Sequence, residues 1–267
     1  MVTTVDANTL DTSELFNSTT EEWTLLEDIM TDARSYHTAT LLDNEKILVV
    51  GGENGDGNVL ATAELYNPKT RKWTPAGTLT TARTQHTASL LPDGRVLVTG
   101  GTDMDDGSIM TAEIYNVTTN SWTVVRNPMN VARSYHTASV LSDGQVLVTG
   151  GYDDSDESSD MYPGSYDSTL QSSELLDLTT QTWTYSTDAL EIPRTGHTMS
   201  KLDNGQVLVI GGQVDTDSDP LDSMEIYDSQ TRRWSTSQAT MQNARYGHTA
   251  TVLSYQSVLV AGGDSYS

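Results

Sequence analysis

Arginine and histidine recur three residues apart at five places in the chain. Arg34 stands with His37, Arg83 with His86, Arg133 with His136, Arg194 with His197 and Arg245 with His248. Glu14, Glu64, Glu113, Glu174 and Glu225 recur in step with them. Imidazole and carboxylate are the usual groups of general acid–base catalysis, and imidazole is also a common metal ligand. A catalytic site, however, brings a few different groups to one reacting atom. Five identical sets do not converge in that way. They are expected to be architectural, with Arg and Glu in a charge-assisted contact and His bonded to a neighbouring backbone group. A ring of the five histidines around a metal is the competing functional reading.

The second set of chemically capable residues is acidic. Five segments between repeated apolar stretches together carry 18 carboxylates and no Lys or Arg. Calcium takes six to eight oxygen ligands, which closely spaced Asp side chains and loop carbonyls can supply. Asp215, Asp217 and Asp219 alternate with Thr and Ser, and Asp222 follows as a closing ligand. Asp103 and Asp105 form a shorter candidate, and Asp153, Asp154 and Asp156 a third. The plain alternative is a solvated acidic surface. The segment 152–173 is the longest of the five and holds Tyr152, Tyr162 and Tyr166 beside acids, a composition suited to a protein or carbohydrate partner. Asn17 and Asn116 begin Asn-x-Thr/Ser sequons and are candidate glycosylation sites in a secreted context.

The elements that would position these groups are short strands. The histidines are spaced by 49, 50, 61 and 51 residues, and so are the Gly pairs that begin at 51, 100, 150, 211 and 262. A period near 50 residues indicates a propeller-type array. Within one period, "HTASLL" reads as a first strand, and "RVLVTGG" as a second strand buried on both faces and ended by glycines. "TAELYN" reads as a third strand, and "KWTP" as a fourth carrying the single Trp. No stretch has a sustained helical period. Trp23, Trp73, Trp122, Trp183 and Trp234 are expected to fill the wedges between neighbouring repeats rather than to form a sugar-stacking platform.

The order Arg-x-x-His, apolar strand, Gly-Gly, Glu-Leu/Ile-Tyr and Trp resembles the kelch repeat over nearly the whole chain. The resemblance implies an all-β fold, a β-propeller in which each repeat is a four-stranded antiparallel blade. Complete blades are expected at about 31–80, 81–130, 131–191 and 192–244. The chain begins with two outer strands and ends with two inner ones. Residues 1–30 and 245–267 are therefore expected to share a fifth blade and close a five-bladed ring; the alternative is a fragment of a larger ring. All 267 residues would form one domain. Because strand direction alternates, the acidic segments fall on one face. The candidate loop at Asp215 resembles the hairpin calcium loops of integrin propellers, with Pro220 in place of the usual Gly.

Bulk properties narrow the function classes. A net charge of −23 excludes a basic nucleic-acid-binding surface. No run of 18 apolar residues is present, so no membrane insertion by a helix is expected, and the N-terminus lacks a secretory signal pattern. With zero Cys, thiol chemistry and disulfides are absent. That argues against the Tyr–Cys site of the copper oxidases that resemble kelch propellers; sialate epimerases are the other enzymes of this kind. The expected function is a non-enzymatic module for a protein or glycan partner, of basic character. It would be extracellular or at the cell surface, one part of a longer chain or assembly, and supported by Ca²⁺. A lectin is the alternative.

Overall fold

The computed structural model describes residues 9–104, 107–154, 168–215, 218–254 and 257–265. Among them there are twenty strands and no α-helix. They group into two compact units, and the division falls within the second repeat.

The first unit opens with a two-stranded sheet, β1 (Glu14–Asn17) and β2 (Glu22–Leu25). A four-stranded sheet follows: β3 (Thr38–Leu41), β4 (Ile47–Val50), β5 (Thr62–Asn67) and β6 (Lys72–Thr78). The next is β7 (Thr87–Leu90), β8 (Val96–Thr99), β9 (Ala112–Asn116) and β10 (Ser121–Val124). Each sheet is a meander whose spatial order follows the chain. Val50 stands opposite Ala63 and Leu48 opposite Leu65. The second strand is apolar throughout because both its faces are covered: Val96, Leu97 and Val98 are all buried. A core of Leu48, Val50, Leu65, Ala76, Val96, Val98 and Tyr115 joins the two four-stranded sheets, with Trp122 packed against it.

The second unit repeats the plan. One sheet is β11 (Thr137–Val140), β12 (Val146–Thr149), β13 (Ser173–Asp177) and β14 (Thr182–Tyr185). The next is β15 (Thr198–Lys201), β16 (Val207–Ile210), β17 (Met224–Asp228) and β18 (Arg233–Thr236). Last come β19 (Thr249–Leu253) and β20 (Ser257–Ala261), a two-stranded sheet. The core here runs through Leu147, Leu175, Val207, Val209, Tyr227 and Trp234. Four sheets are thus complete four-stranded blades. The fifth blade expected from the two ends is seen as two separate two-stranded sheets.

The turns follow their side chains. Asn17, Asn67, Asn116, Asp177 and Asp228 each end a third strand. Each accepts the N–H of the residue two positions on, as in Asn116 Oδ1 from Thr118 at 2.9 Å and Asp177 Oδ1 from Thr179 at 2.7 Å. The two sequon asparagines therefore sit in a turn where Asp serves equally well as acceptor.

Leu147 is fully buried at the centre of its sheet. Leu147→Ala is expected to lower unfolding stability by about 2–5 kcal/mol in urea titration. A loss under about 1 kcal/mol would contradict the packing described.

Candidate functional site: the repeat joints and the acidic loops

In each complete blade the arginine side chain reaches across its own sheet. Arg34 Nη1 donates to the Gly51 carbonyl at 2.7 Å, and Nη2 to Glu64 Oε1 at 3.0 Å. Arg133 does the same with Gly150 (2.9 Å) and Glu174 (2.9 Å), and Arg194 with Gly211 (2.9 Å) and Glu225 (2.8 Å). Arg83 pairs with Glu113 at 3.1 Å. All four ion pairs are buried. Each glutamate also accepts backbone N–H groups from the segment that leads into the arginine. Glu64 takes Thr31, Glu113 takes Thr80 and Thr81, Glu174 takes Asn130 and Val131, and Glu225 takes Glu191 and Ile192. Both charges of each pair are thus hydrogen-bonded, although the Nε of Arg34, Arg133 and Arg194 is buried without a partner among the described residues. Burial is the main influence on Arg83, Arg133 and Arg194 and lowers their pKa; the paired carboxylate opposes it.

The histidines join one blade to the one before it. His86 Nε2 is hydrogen-bonded to Thr38 Oγ1 at 2.9 Å, His197 to Thr137 at 2.7 Å, and His248 to Thr198 at 2.9 Å. His136 bonds Thr99 Oγ1 at 3.2 Å. The partner at Nε2 is thus a threonine hydroxyl, a side chain in another repeat that leaves no spacing signal, while the backbones of Arg34, Arg83 and Arg194 also bond His37, His86 and His197, the kind of contact the sequence suggested. The same imidazoles press on the preceding Gly pair. A Cβ on Gly51, Gly100, Gly150 or Gly211 would stand 2.3–2.5 Å from the next repeat's arginine carbonyl and 2.7–2.9 Å from its histidine Cε1. These positions also have φ near +60°, so glycine is required twice over. Burial, then the charge of Arg83, pushes His86 down to about 3. Burial, then Arg194, does the same to His197. His37 and His248 are lowered by burial and by Arg34 and Arg245 respectively.

The tryptophans grade from buried to exposed. Trp183 and Trp234 are buried, and Trp73 and Trp122 half-buried. Trp122 Nε1 donates to the Ala76 carbonyl of the preceding blade at 2.9 Å. Trp23, expected in a wedge, is exposed, and its ring lies tilted against Phe16 with centroids 5.2 Å apart. Its sheet has two strands, so there is less surface to pack against.

The acidic loops are built on the joints. In the first of them a neutral residue, Asn54, stands between the acids Glu53 and Asp56. Its Oδ1 accepts the N–H groups of Asp56 and Asn58 and shapes the turn. In the second unit, Asp154 Oδ1 accepts the Ser108 N–H at 2.5 Å, and Ser108 Oγ donates to the Tyr152 carbonyl at 3.1 Å. Two neighbouring loops are thereby tied together. Asp153 is half-buried and its charge acts on Arg133. Asp215 Oδ2 accepts from Ser218 Oγ at 2.6 Å, while Asp219 and Asp222 are exposed. Asp103 is half-buried beside the exposed Met104. Asp105, Asp156, Asp217, Tyr162 and Tyr166 lie outside the described residues. Among the described residues, no three His, Cys, Asp or Glu side chains converge closely enough to hold a metal ion.

One feature left no signal in composition. Tyr36, Gln85 and Tyr135, each between the Arg and His of a repeat, have φ of 51°, 55° and 51°. Gly196 and Gly247 hold the same place in the last two repeats. Tyr36 and Tyr135 are exposed. Glycine at this repeat position in the last two copies, Gly196 and Gly247, was the available clue.

Four-stranded meander sheets, joined by a buried Arg–Glu pair within each and a His–Thr contact between them, define a kelch-type β-propeller. The chain belongs to the Attractin/LZTR1 β-propeller family, whose profile matches residues 4–213. A kelch motif is matched at residues 193–238. No individually curated protein matches the chain. No helix is long and apolar enough to cross a membrane among the described residues.

Two outcomes are expected. Glu113→Ala strands the buried Arg83 charge and should cost about 3–5 kcal/mol, whereas Glu45→Ala, which breaks the exposed pair with Lys69, should cost little or nothing. Equal losses in urea titration would refute the division. For His86, the folded pKa lies below the unfolded one, so the unfolded chain binds the extra proton. Its contribution is complete above the unfolded value and is lost as pH falls towards about 3. The stability gap between the wild type and His86→Gln should therefore narrow as the pH is lowered from neutral into the acid range. A gap that widens would show that the imidazole is charged in the fold.

Proposed function

We propose that the chain is a non-enzymatic protein-interaction module, a five-bladed kelch propeller whose acidic loops dock a basic segment of a partner. The observation that carries this reading is the segregation of charge. The five acidic segments hold 18 carboxylates without a Lys or Arg, while the repeated Arg, Glu and His side chains of the complete blades are taken up by the joints. Membership of a propeller family supports the same reading. An extracellular or cell-surface setting fits the two sequons at Asn17 and Asn116. A bound Ca²⁺ would relieve the repulsion among the loop carboxylates, and Asp215 and Asp219 are its candidate ligands among the described residues.

The test is binding of a fluorescent oligolysine peptide. Affinity should fall steeply with salt, and the combined Asp153→Asn, Asp154→Asn, Asp219→Asn and Asp222→Asn variant should bind roughly tenfold more weakly. Binding that ignores both salt and the four substitutions would sink the proposal. A parallel thermal melt at fixed ionic strength should show stabilisation by millimolar Ca²⁺, reversal by chelator and a smaller effect of Mg²⁺. Coincident curves would remove calcium and leave the docking surface. Exposed Tyr152 beside Asp153 and Asp154 favours a second reading, a glycan-binding loop, for which a glycan array is the direct measurement.

A further inference from the structure

The chain holds two Asn-Gly pairs, Asn54-Gly55 in the first unit and Asn204-Gly205 in the second. Such a pair can react with itself. The backbone nitrogen that follows an asparagine can attack the side-chain amide carbon and expel ammonia, and a glycine there has no Cβ to hinder the approach. The two turns treat the reacting atoms differently.

Asn54 opens the turn that joins Glu53 to Val59, which are paired across an antiparallel bridge. Its N–H donates to the Asn58 carbonyl, and its carbonyl accepts from the Gly57 N–H, both at 3.0 Å. Its side-chain Oδ1 accepts the N–H of Asp56 at 3.0 Å and that of Asn58 at 2.9 Å. Two donors on one amide oxygen draw electron density away from Cγ. They also stand where negative charge gathers when a nucleophile adds to that carbon, as the donors of an oxyanion hole do. The leaving nitrogen, Nδ2, and the attacking Gly55 N–H have no hydrogen-bond partner among the described residues. Gly55 is exposed, so hydroxide and water reach it.

At Asn204 the same atoms are held. The Gly205 N–H donates to the Leu202 carbonyl at 2.9 Å. Asn204 Nδ2 donates to Gln206 Oε1 at 2.7 Å, and Oδ1 accepts a single N–H, from Gln206 at 3.0 Å. Nucleophile and leaving group are both occupied, and the turn must give up these bonds before it can react.

We propose that Asn54 is a site of spontaneous deamidation, activated by its own turn. The Gly55 N–H loses its proton to hydroxide, a bond forms from that nitrogen to Cγ, and the Cγ–Nδ2 bond breaks as ammonia leaves. The five-membered imide so formed takes up one water. Opening at Cγ gives aspartate. Opening at the main-chain carbonyl carbon gives isoaspartate, in which the chain runs through Cγ. The net change converts an amide and water to a carboxyl group and ammonia, with no oxidant or reductant. A third carboxylate then stands between Glu53 and Asp56. In the aspartate product it keeps the two N–H donors, now as a charged acceptor. In the isoaspartate product Oδ1 becomes the main-chain carbonyl oxygen and the former carbonyl oxygen joins the free carboxylate. The acceptor of Gly57 and the acceptor of Asp56 and Asn58 thus exchange roles.

The test is incubation of the unmodified chain at mildly alkaline pH. Peptide mass spectrometry reads the change from amide to acid, and an isoaspartate methyltransferase labels the isomer. In the folded chain the Asn54 peptide should convert roughly tenfold faster than the Asn204 peptide. In guanidinium chloride both turns are lost, and the two rates should converge. Gly55→Ala should slow conversion at Asn54 several-fold. Gly55 does not have a positive φ, and a Cβ there meets Thr9 Oγ1 at 3.6 Å, an ordinary contact, so this variant keeps the turn. Equal rates in the folded chain, or a faster Asn204, would overturn the inference. A preference for Asn54 that persists in denaturant would assign it to the flanking residues and overturn the role of the turn. An unchanged rate in Gly55→Ala would show direct hydrolysis instead of attack by the Gly55 nitrogen, with the same consequence. None of these readouts depends on what the acidic loops bind.

Discussion

The buried ion pair between arginine and glutamate is the constraint on which the rest of each blade depends. Removing two charges from water is costly, and their attraction offsets this only when every donor and acceptor is engaged. Arg133 shows how most of this is met: its two terminal nitrogens reach the Gly150 and Ser172 carbonyls, the Ser172 hydroxyl and Glu174, and only its Nε lacks a partner among the described residues. Glu174 in turn holds the N–H groups of Asn130 and Val131. Few other conformations of the connecting segment could satisfy the same set. The pair therefore acts chiefly on specificity, fixing where the incoming chain lies against its own sheet.

The histidine contact has a different task. It links consecutive sheets, and it does so at a point where glycine lets two backbones approach. Its neutrality belongs to that task. An imidazole beside an arginine in a dry interface is held uncharged by burial and by that neighbour, as at His86 and His197. With packing and polar groups both assigned to the joints, the loops after the second strands carry little structural duty. Their acidic composition can then be set by solvation or by a partner.

Much of this was legible in the sequence, because a repeat states each requirement several times. Five copies of Arg, Glu and His pointed to a shared role, which the four complete blades show for Arg and Glu, and the apolar second strands marked the centres of the sheets. The threonine partners were hidden, since Thr38 and His86 are 48 residues apart in a Thr-rich chain. The left-handed backbone at Tyr36, Gln85 and Tyr135 was hidden too, because a tyrosine does not announce positive φ as glycine does. Trp23 shows the opposite limit. Its repeat position suggested a wedge, but burial depends on neighbours that a single residue cannot specify.

The separation of contacts within a blade from contacts between blades has a genetic consequence. Each Arg–Glu pair is complete inside one copy of the repeat, and each His–Thr contact needs only the copy before it. Duplicating one period of about 50 residues, from any starting point, adds one of each and breaks none. Such a gene can lengthen or shorten by whole periods through unequal recombination, with every intermediate encoding satisfied interfaces along its length. Only the two ends must then be reconciled.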